Sequence, residues 1–425
     1  MNNYLLSALT ASPADAWEIT ESTTEGWEFY FIRHKLDQHR AKQVTHTSVK
    51  VYRKSEDGAF LGSASSEIQE TASQSEVSDR IAALLEQAAL VKNPVYTLHS
   101  PAEGFAVPEQ DVPSVEDMAS DFIRAMQEIP ETEGEDINSY EIFVNVIRRH
   151  FLSSTGIDLT ETMPSSMIEV VVNARRDGRE IELYRNYVSG TCDREGLKND
   201  LIRTLTYGRD RLRTVPTPPL SGVDVVLSTD AAANVYDYFV SRMMTSMKYQ
   251  RLSDWEVCDK VCDVPLTVTA LQSLPNSSQN HLFDAEGAPI RDLVLIKDGI
   301  ASAFHGPRQY SAYLGLEDAF IAYNFSVTGG SENEEALRSG TCLEVVEFSD
   351  FQVDPMTGDI AGEIRLGYLY DENGVTPVSG GSVSGNMHTV SLRLSSAQRQ
   401  YDTFLSPALT RLSGLNITGI QTEGN

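Results

Sequence analysis

The sequence predicts an α+β protein, with a mixed α/β N-terminal domain followed by a β-rich C-terminal domain. Three observations carry this reading. Runs of alternating apolar and polar residues recur in the N-terminal half between amphipathic helical stretches. Pro216-Thr217-Pro218-Pro219 places three prolines in four residues, which neither a helix nor a central strand continues through. The last third carries turn signals between β-prone runs: Phe283-Asp284-Ala285-Glu286-Gly287, Asp354-Pro355-Met356-Thr357-Gly358-Asp359 and Gly380-Gly381-Ser382-Val383-Ser384-Gly385-Asn386.

Taken in order, residues 27–68 alternate in short runs such as Thr45-His46-Thr47-Ser48-Val49-Lys50-Val51-Tyr52, the period of half-buried strands, with Asp57-Gly58 as a hairpin turn. Ile81, Leu84, Leu85, Ala88 and Leu90 then mark one face of a helix that ends before Asn93-Pro94. Residues 1–98 are therefore read as an α/β subdomain. Residues 99–114, rich in Pro, acidic and small residues, are expected to form a linker or long loop. Residues 115–215 form a second α/β subdomain: a helix over 115–129, strands over 140–146, 168–174 and 181–188, an Asp177-Gly178 hairpin turn, and a helix over 195–213. The C-terminal domain, 220–425, opens with a strand over 223–227. A helix over 231–247 follows, whose Val235, Phe239, Met243 and Met247 recur every four residues and are expected to pack into a core or a dimer contact. Gly329-Gly330 and Gly380-Gly381 lack the Lys-Ser/Thr and helix start of a phosphate-binding loop.

At 425 residues with a net charge of −27, the chain has a negative average field that repels nucleic-acid backbones and acidic membranes. No direct nucleic-acid partner is expected. No stretch approaches the roughly 20 apolar residues of a membrane span. The N-terminus lacks the basic flank of a secretory signal, and the four cysteines show no disulfide framework, so a cytoplasmic location is expected. Cys258 and Cys262 would share a helix face, yet no His or further Cys lies close by in sequence before His281. They are read as free thiols, and Cys342 as a buried strand residue.

The C-terminal turns, together with Leu295-Ile296-Lys297-Asp298-Gly299-Ile300 and Arg308-Gln309-Tyr310-Ser311-Ala312, resemble the TldD/PmbA family, once called modulators of DNA gyrase. Asn138-Ser139-Tyr140-Glu141-Ile142-Phe143-Val144, Ser153-Ser154-Thr155-Gly156-Ile157-Asp158 and Arg211-Leu212-Arg213-Thr214-Val215-Pro216-Thr217-Pro218 extend the resemblance over most of the chain. It implies a two-domain protomer that dimerises around a cavity, in a family whose active members are metallopeptidases. It also implies that any link to gyrase is indirect, through peptide turnover. The TldD branch carries a zinc-ligating His-Glu-x-x-x-His helix and a later Cys. The corresponding helix here, after Val223-Asp224-Val225-Val226-Leu227-Ser228, has no histidine, and none occurs between His150 and His281. The chain therefore resembles the PmbA/TldE-like branch.

A hydrolytic zinc site needs about three protein ligands, an open position and a nearby base. No catalytic residue, metal ligand or cofactor is expected here, and Asp237 with Arg242 is read as a surface ion pair. The resemblance implies a non-catalytic subunit, in a homodimer or in a heterodimer with a zinc-bearing TldD-like subunit, acting on peptides. A homodimeric peptide-binding scaffold is the alternative. Gly385 and Asn386, at a β edge able to hold an extended peptide, and His305, one of two histidines singled out in this domain beside His388, are the candidate substrate contacts.

Overall fold

The computed structural model describes residues 1–228, 230–316 and 319–420. The C-terminal unit expected over 220–425 thus includes Thr229, Glu317, Asp318 and 421–425, which lie outside the described residues.

The N-terminal half runs α1 (Leu5–Ala11), β1 (Ala16–Ile32), β2 (Lys35–Lys54), β3 (Leu61–Glu67), α2 (Gln74–Leu90), α3 (Val115–Gln127), β4 (Glu135–Ser153), β5 (Asp158–Arg176), β6 (Arg179–Ser189) and α4 (Arg194–Arg211). Its strands form one antiparallel sheet in the order β3-β2-β1-β4-β5-β6. β1 pairs with β4 from Glu18↔Ser153 to Ile32↔Ser139, so one sheet spans both sides of the 91–114 segment. The strands are longer than the alternation indicates. Glu21-Ser22-Thr23-Thr24 in β1 shows no apolar period, but pairing on both sides holds it extended. Two-residue turns close two hairpins: Asp177-Gly178, and Arg33-His34 with Arg33 at φ +53°.

The helices cover this sheet for reasons written into their ends and faces. Ser73 and Glu76 form a capping box at the start of α2, and Ser114 caps α3 by accepting from the Asp117 amide at 3.1 Å. α1 and α2 bury Leu5, Leu9, Val77, Ile81 and Leu84 against Ile19, Val49 and Val51. α3 and α4 bury Phe122, Met126, Leu201 and Leu205 with Ile142, Val144, Ile168 and Val170.

The C-terminal half contains β7 (Val215–Pro216), β8 (Asp224–Leu227), α5 (Ala231–Arg242), α6 (Thr245–Tyr249), β9 (Thr267–Leu271), β10 (Leu293–Lys297), β11 (Ile300–Ala301), α7 (Arg308–Tyr313), β12 (Asn324–Thr328), α8 (Glu334–Leu337), β13 (Cys342–Val353), β14 (Asp359–Asp371), β15 (Gly374–Ser379), β16 (Ser382–Asn386), β17 (Ser391–Leu394), β18 (Gln398–Tyr401), β19 (Phe404–Pro407), β20 (Thr410–Ser413) and β21 (Asn416–Thr418). They build a six-stranded sheet, β11-β10-β9-β12-β19-β18, and a nine-stranded one, β17-β20-β8-β13-β14-β15-β7, with β16 on β14 and β21 on β16. The proline segment enters this sheet as its edge strand β7, where a missing N–H costs no ladder bond. α5 lies in the core with Val235, Phe239 and Met243 buried. The single helix expected over 231–247 is broken at Met244, which is extended (φ −77°, ψ 136°) because His305 captures the backbone there: Thr245 N–H donates to the His305 carbonyl at 2.8 Å and His305 N–H to that of Met243 at 3.1 Å.

The two halves meet around Glu161, which is 1% exposed. Its carboxylate accepts from Arg149 Nη2 at 2.6 Å, His281 Nδ1 at 2.8 Å and the Leu282 amide at 2.7 Å. Arg149 also lies over the Phe283 ring, 4.4 Å from its centroid. The next turn is held from within. The fully buried Asp284 accepts the Glu286 and Ala288 amides on Oδ1 and the Ile321 amide on Oδ2, at 2.8 to 2.9 Å. Gly287 has φ +83°, and a Cβ there would sit 2.7 Å from the Phe151 ring.

The linker expected over 99–114 lacks helix and strand, but it is a strap rather than a free tether. Thr162 N–H donates to Gln110 Oε1 at 2.7 Å, Phe105 and Val107 pack with Phe151 and Phe283, and farther back Tyr313 Oη donates to the Pro94 carbonyl at 2.6 Å.

Glu161→Ala leaves Arg149 and the Leu282 amide buried without their acceptor, and is expected to cost about 3–5 kcal/mol in denaturant unfolding; a loss under about 1 kcal/mol would show that the network does not hold the halves together. His305 is buried, its Nε2 facing the Val240 carbonyl at 3.3 Å, and burial depresses its pKa to about 4. A depressed histidine contributes stability that is complete above its unfolded pKa near 6.5 and is lost as pH falls toward 4. Between those limits the wild type should lose on the order of 3 kcal/mol more than His305→Phe. Parallel pH profiles of the two proteins would refute this.

Candidate functional site

The helix that the resemblance sets against a zinc-binding one is α5, and its side chains do not suit a zinc ion. Its exposed positions include Asn234, whose Nδ2 donates to the Phe351 carbonyl at 3.1 Å, and Asp237, which accepts from Ser241 Oγ at 3.2 Å. At its end stands a cation. Arg242 is 3% exposed, stacks over Trp255 at 4.8 Å and Tyr238 at 5.5 Å, donates to the Pro355 carbonyl at 3.2 Å and pairs with Asp254. The expected Asp237–Arg242 surface pair is therefore corrected: the guanidinium is buried, because aromatic faces and main-chain carbonyls replace its water, and its carboxylate partner is Asp254. A buried guanidinium and no imidazole form a poor donor set for zinc.

What α5 does border, at its N-terminal end, is a groove between the two halves. Two cavities of about 540 and 610 Å³ share Asn186, Tyr187, Asp200, Arg203, Asp230, Arg399 and Tyr401. One wall is α4 and β6, the edge strand of the first sheet; the other includes β18, the edge strand of the six-stranded C-terminal sheet. Both strands pair on one side only, among the described residues. Asp200 pairs with Arg203 and lies 3.6 Å from Arg399 Nη2. Arg399 Nη1 donates to Tyr401 Oη at 3.1 Å, and Tyr401 Oη donates to the Ser228 carbonyl at 3.1 Å. Burial, together with the charge of Arg399, lowers the pKa of Arg203, and burial raises those of Tyr187 and Tyr401. The Tyr187 hydroxyl is buried with no hydrogen-bond partner among the described residues. Deeper in, Glu347 pairs with Arg185 and lies 3.8 Å from Arg211. The groove thus offers guanidiniums, phenols and two strand edges, a set suited to binding carbonyls and carboxylates.

The residues picked from sequence lie elsewhere and have partners of their own. Asn386 Nδ2 donates to the Thr357 carbonyl at 2.9 Å and Asp359 Oδ1 at 2.8 Å, and its Oδ1 accepts the His388 amide at 3.0 Å, fastening the 354–359 turn. Gly385 pairs with Ile360, and a Cβ there would fall 2.4 Å from Leu415. The adjoining edge of β16 is taken by β21 over Ser382–Ser384. His305 lies in the core beneath α5. Cys258 and Cys262 share no helix: Cys258 sits exposed in a loop at φ +77°, and Cys262 is half-buried with its thiol pKa raised by burial. Cys342 is buried in β13 as expected. The groove residues were missed because Asp200, Arg203, Asp230 and Arg399 carry no local motif; the Arg399-Gln400-Tyr401 alternation was the available hint, and it reads as an ordinary strand.

Residues 221–419 match the PmbA/TldA metallopeptidase C-terminal domain. No curated protein matches the chain in sequence. Among solved structures, TldE from Thermococcus kodakarensis is similar at a TM-score of 0.78 and 16% identity, covering 98% of this chain and 99% of that one. A putative modulator of a DNA gyrase from Thermotoga maritima is similar at 0.76 and 14%, covering 95% and 96%. Another from Bacteroides thetaiotaomicron is similar at 0.75 and 15%, covering 98% and 97%. The fold is accordingly the α+β fold of these proteins, and residues 221–419 form a C-terminal domain of the PmbA/TldA metallopeptidase type.

Proposed function

We propose that the chain is a TldE/PmbA-like, non-catalytic subunit that binds peptides and works in the cytoplasm with a zinc-bearing TldD-like subunit to cleave them. The observation that carries this reading is the groove at the N-terminal end of α5. It lies between two edge strands whose free main-chain groups can each pair with an extended peptide, while α5 offers no imidazole pair to hold a hydrolytic metal. Main-chain pairing tolerates varied side chains, and Arg203, Arg399 and Tyr401 add donors for backbone carbonyls or a terminal carboxylate. Arginine and tyrosine in that role hold and orient a chain; they do not activate water. The similarity of fold to a protein named TldE is consistent with the partner-subunit role. No helix among the described residues is long and apolar enough to cross a membrane.

Two outcomes are expected. The purified chain alone should bind unstructured peptides without cleaving them, and chelator-sensitive cleavage should appear when a family member with the His-Glu-x-x-x-His helix is added. Chelator-resistant cleavage by the single chain would overturn the reading; peptide binding by a homodimer that a zinc-bearing partner never activates would replace it with a scaffold. Arg203→Ala combined with Arg399→Ala should weaken peptide binding at least about tenfold, since hydrogen bonds to charged groups contribute about 1.5–3 kcal/mol each. Unchanged peptide affinity in a folded double variant would move the binding surface out of the groove.

A further inference from the structure

A second cluster lies away from α5, where the strap, the N-terminal sheet and the C-terminal half meet. His99 of the strap comes together with Asp284 and Glu286 of the 283–288 turn, one potential ligand atom from each lying within 4.8 Å of the others. We propose that His99, Asp284 and Glu286 bind a divalent cation of the zinc class, which staples the strap joining α2 to α3 onto the C-terminal half.

The donors suit that class. One imidazole nitrogen with two carboxylates is a borderline set that favours zinc-like ions over Mg²⁺ or Ca²⁺, which take oxygen ligands alone. Ligand bonds of about 2.0–2.2 Å require donor atoms roughly 3–4 Å apart, so the cluster needs a contraction of about 1 Å. Half-exposed Glu286 and His99 can supply it by side-chain rotation. Asp284 cannot move and does not need to: three backbone amides fix it, two on Oδ1 and one on Oδ2, which leaves acceptor capacity on Oδ2. His99 Nε2 is buried and has no hydrogen-bond partner among the described residues. A buried, unpaired ring nitrogen beside a fully buried carboxylate is unusual unless something joins them.

The charge balance points the same way. Glu18 of β1 joins Asp284 and Glu286 in the neighbourhood, against Lys50, 3.9 Å from Glu18, and Arg308, whose Nε donates to the Thr97 carbonyl at 2.8 Å and whose amide donates to Glu286 at 2.7 Å. Among the described residues Glu18, Asp284 and Glu286 thus bring three carboxylates to this junction. Neither α5 nor the groove contributes a ligand, so the site would act by fixing the strap rather than by activating water.

Co²⁺ titration of the full chain, stripped with a chelator, tests this. The expected result is one equivalent bound, with visible bands of nitrogen and oxygen coordination and no thiolate charge-transfer band, so that binding at Cys258 or Cys262 is distinguished. His99→Gln and Glu286→Gln should each weaken Co²⁺ at least about tenfold while keeping the wild-type melting temperature in chelator. In the wild type, Co²⁺ or Zn²⁺ should also slow proteolysis within 91–114. Absence of saturable binding, a thiolate spectrum, or affinity unchanged in both variants would overturn the proposal. Peptide cleavage is a separate readout: metal bound at this cluster without cleavage leaves the partner-subunit reading intact, and metal-dependent cleavage that survives both variants would refute that reading instead.

Discussion

The buried carboxylate of Glu161 is the constraint on which the arrangement of the two halves depends. It projects from β5 and gathers a guanidinium, an imidazole and a main-chain amide, the last two from the segment that leads into the 283–288 turn. A buried charge is costly unless nearly every lone pair is used, and here the partners come from both halves. Once Glu161 is satisfied, the position of the following turn is set. Asp284 then carries the constraint inward, because its three backbone acceptances hold the turn and tie it to the chain at Ile321.

From that anchor the other features of the interface follow. The strap lies in the seam and closes over Phe151, Ile157 and Phe283, so a segment without regular structure is ordered by apolar contact and by hydrogen bonds from Thr162, Tyr313 and Arg308. Where α4 faces α5 the seam opens into the groove. The same docking therefore produces a closed, acid-rich junction around the strap and an open one lined by Arg203, Arg399 and tyrosines.

The groove also explains why family resemblance and local chemistry point in different directions. α5 carries no imidazole, and Arg242, held by Trp255 and Asp254, puts a positive charge at its end. The cleft beside α5 is made by edge strands and domain docking rather than by the side chains of α5 alone. Asn386 and Gly385 fasten one turn to a neighbouring strand.

The sequence by itself determined the fold class, several of the turns and the four longest helices, α2 to α5. Gly287, Gly358 and Gly178 need positive φ, and the spacing of Val235, Phe239 and Met243 marks a buried face; each is a local property that residue type reports directly. The absence of histidine from α5 was equally plain. Only the tertiary structure decided the length of β1, the break at Met244, the partner of Arg242, and the assembly of Asp200, Arg203 and Arg399 or of His99, Asp284 and Glu286. The reason is the same in each case. A charged side chain or a polar strand has no preferred partner within its own few residues; its energy is set by desolvation and pairing across elements far apart in the chain, and those terms exist only once the halves have docked.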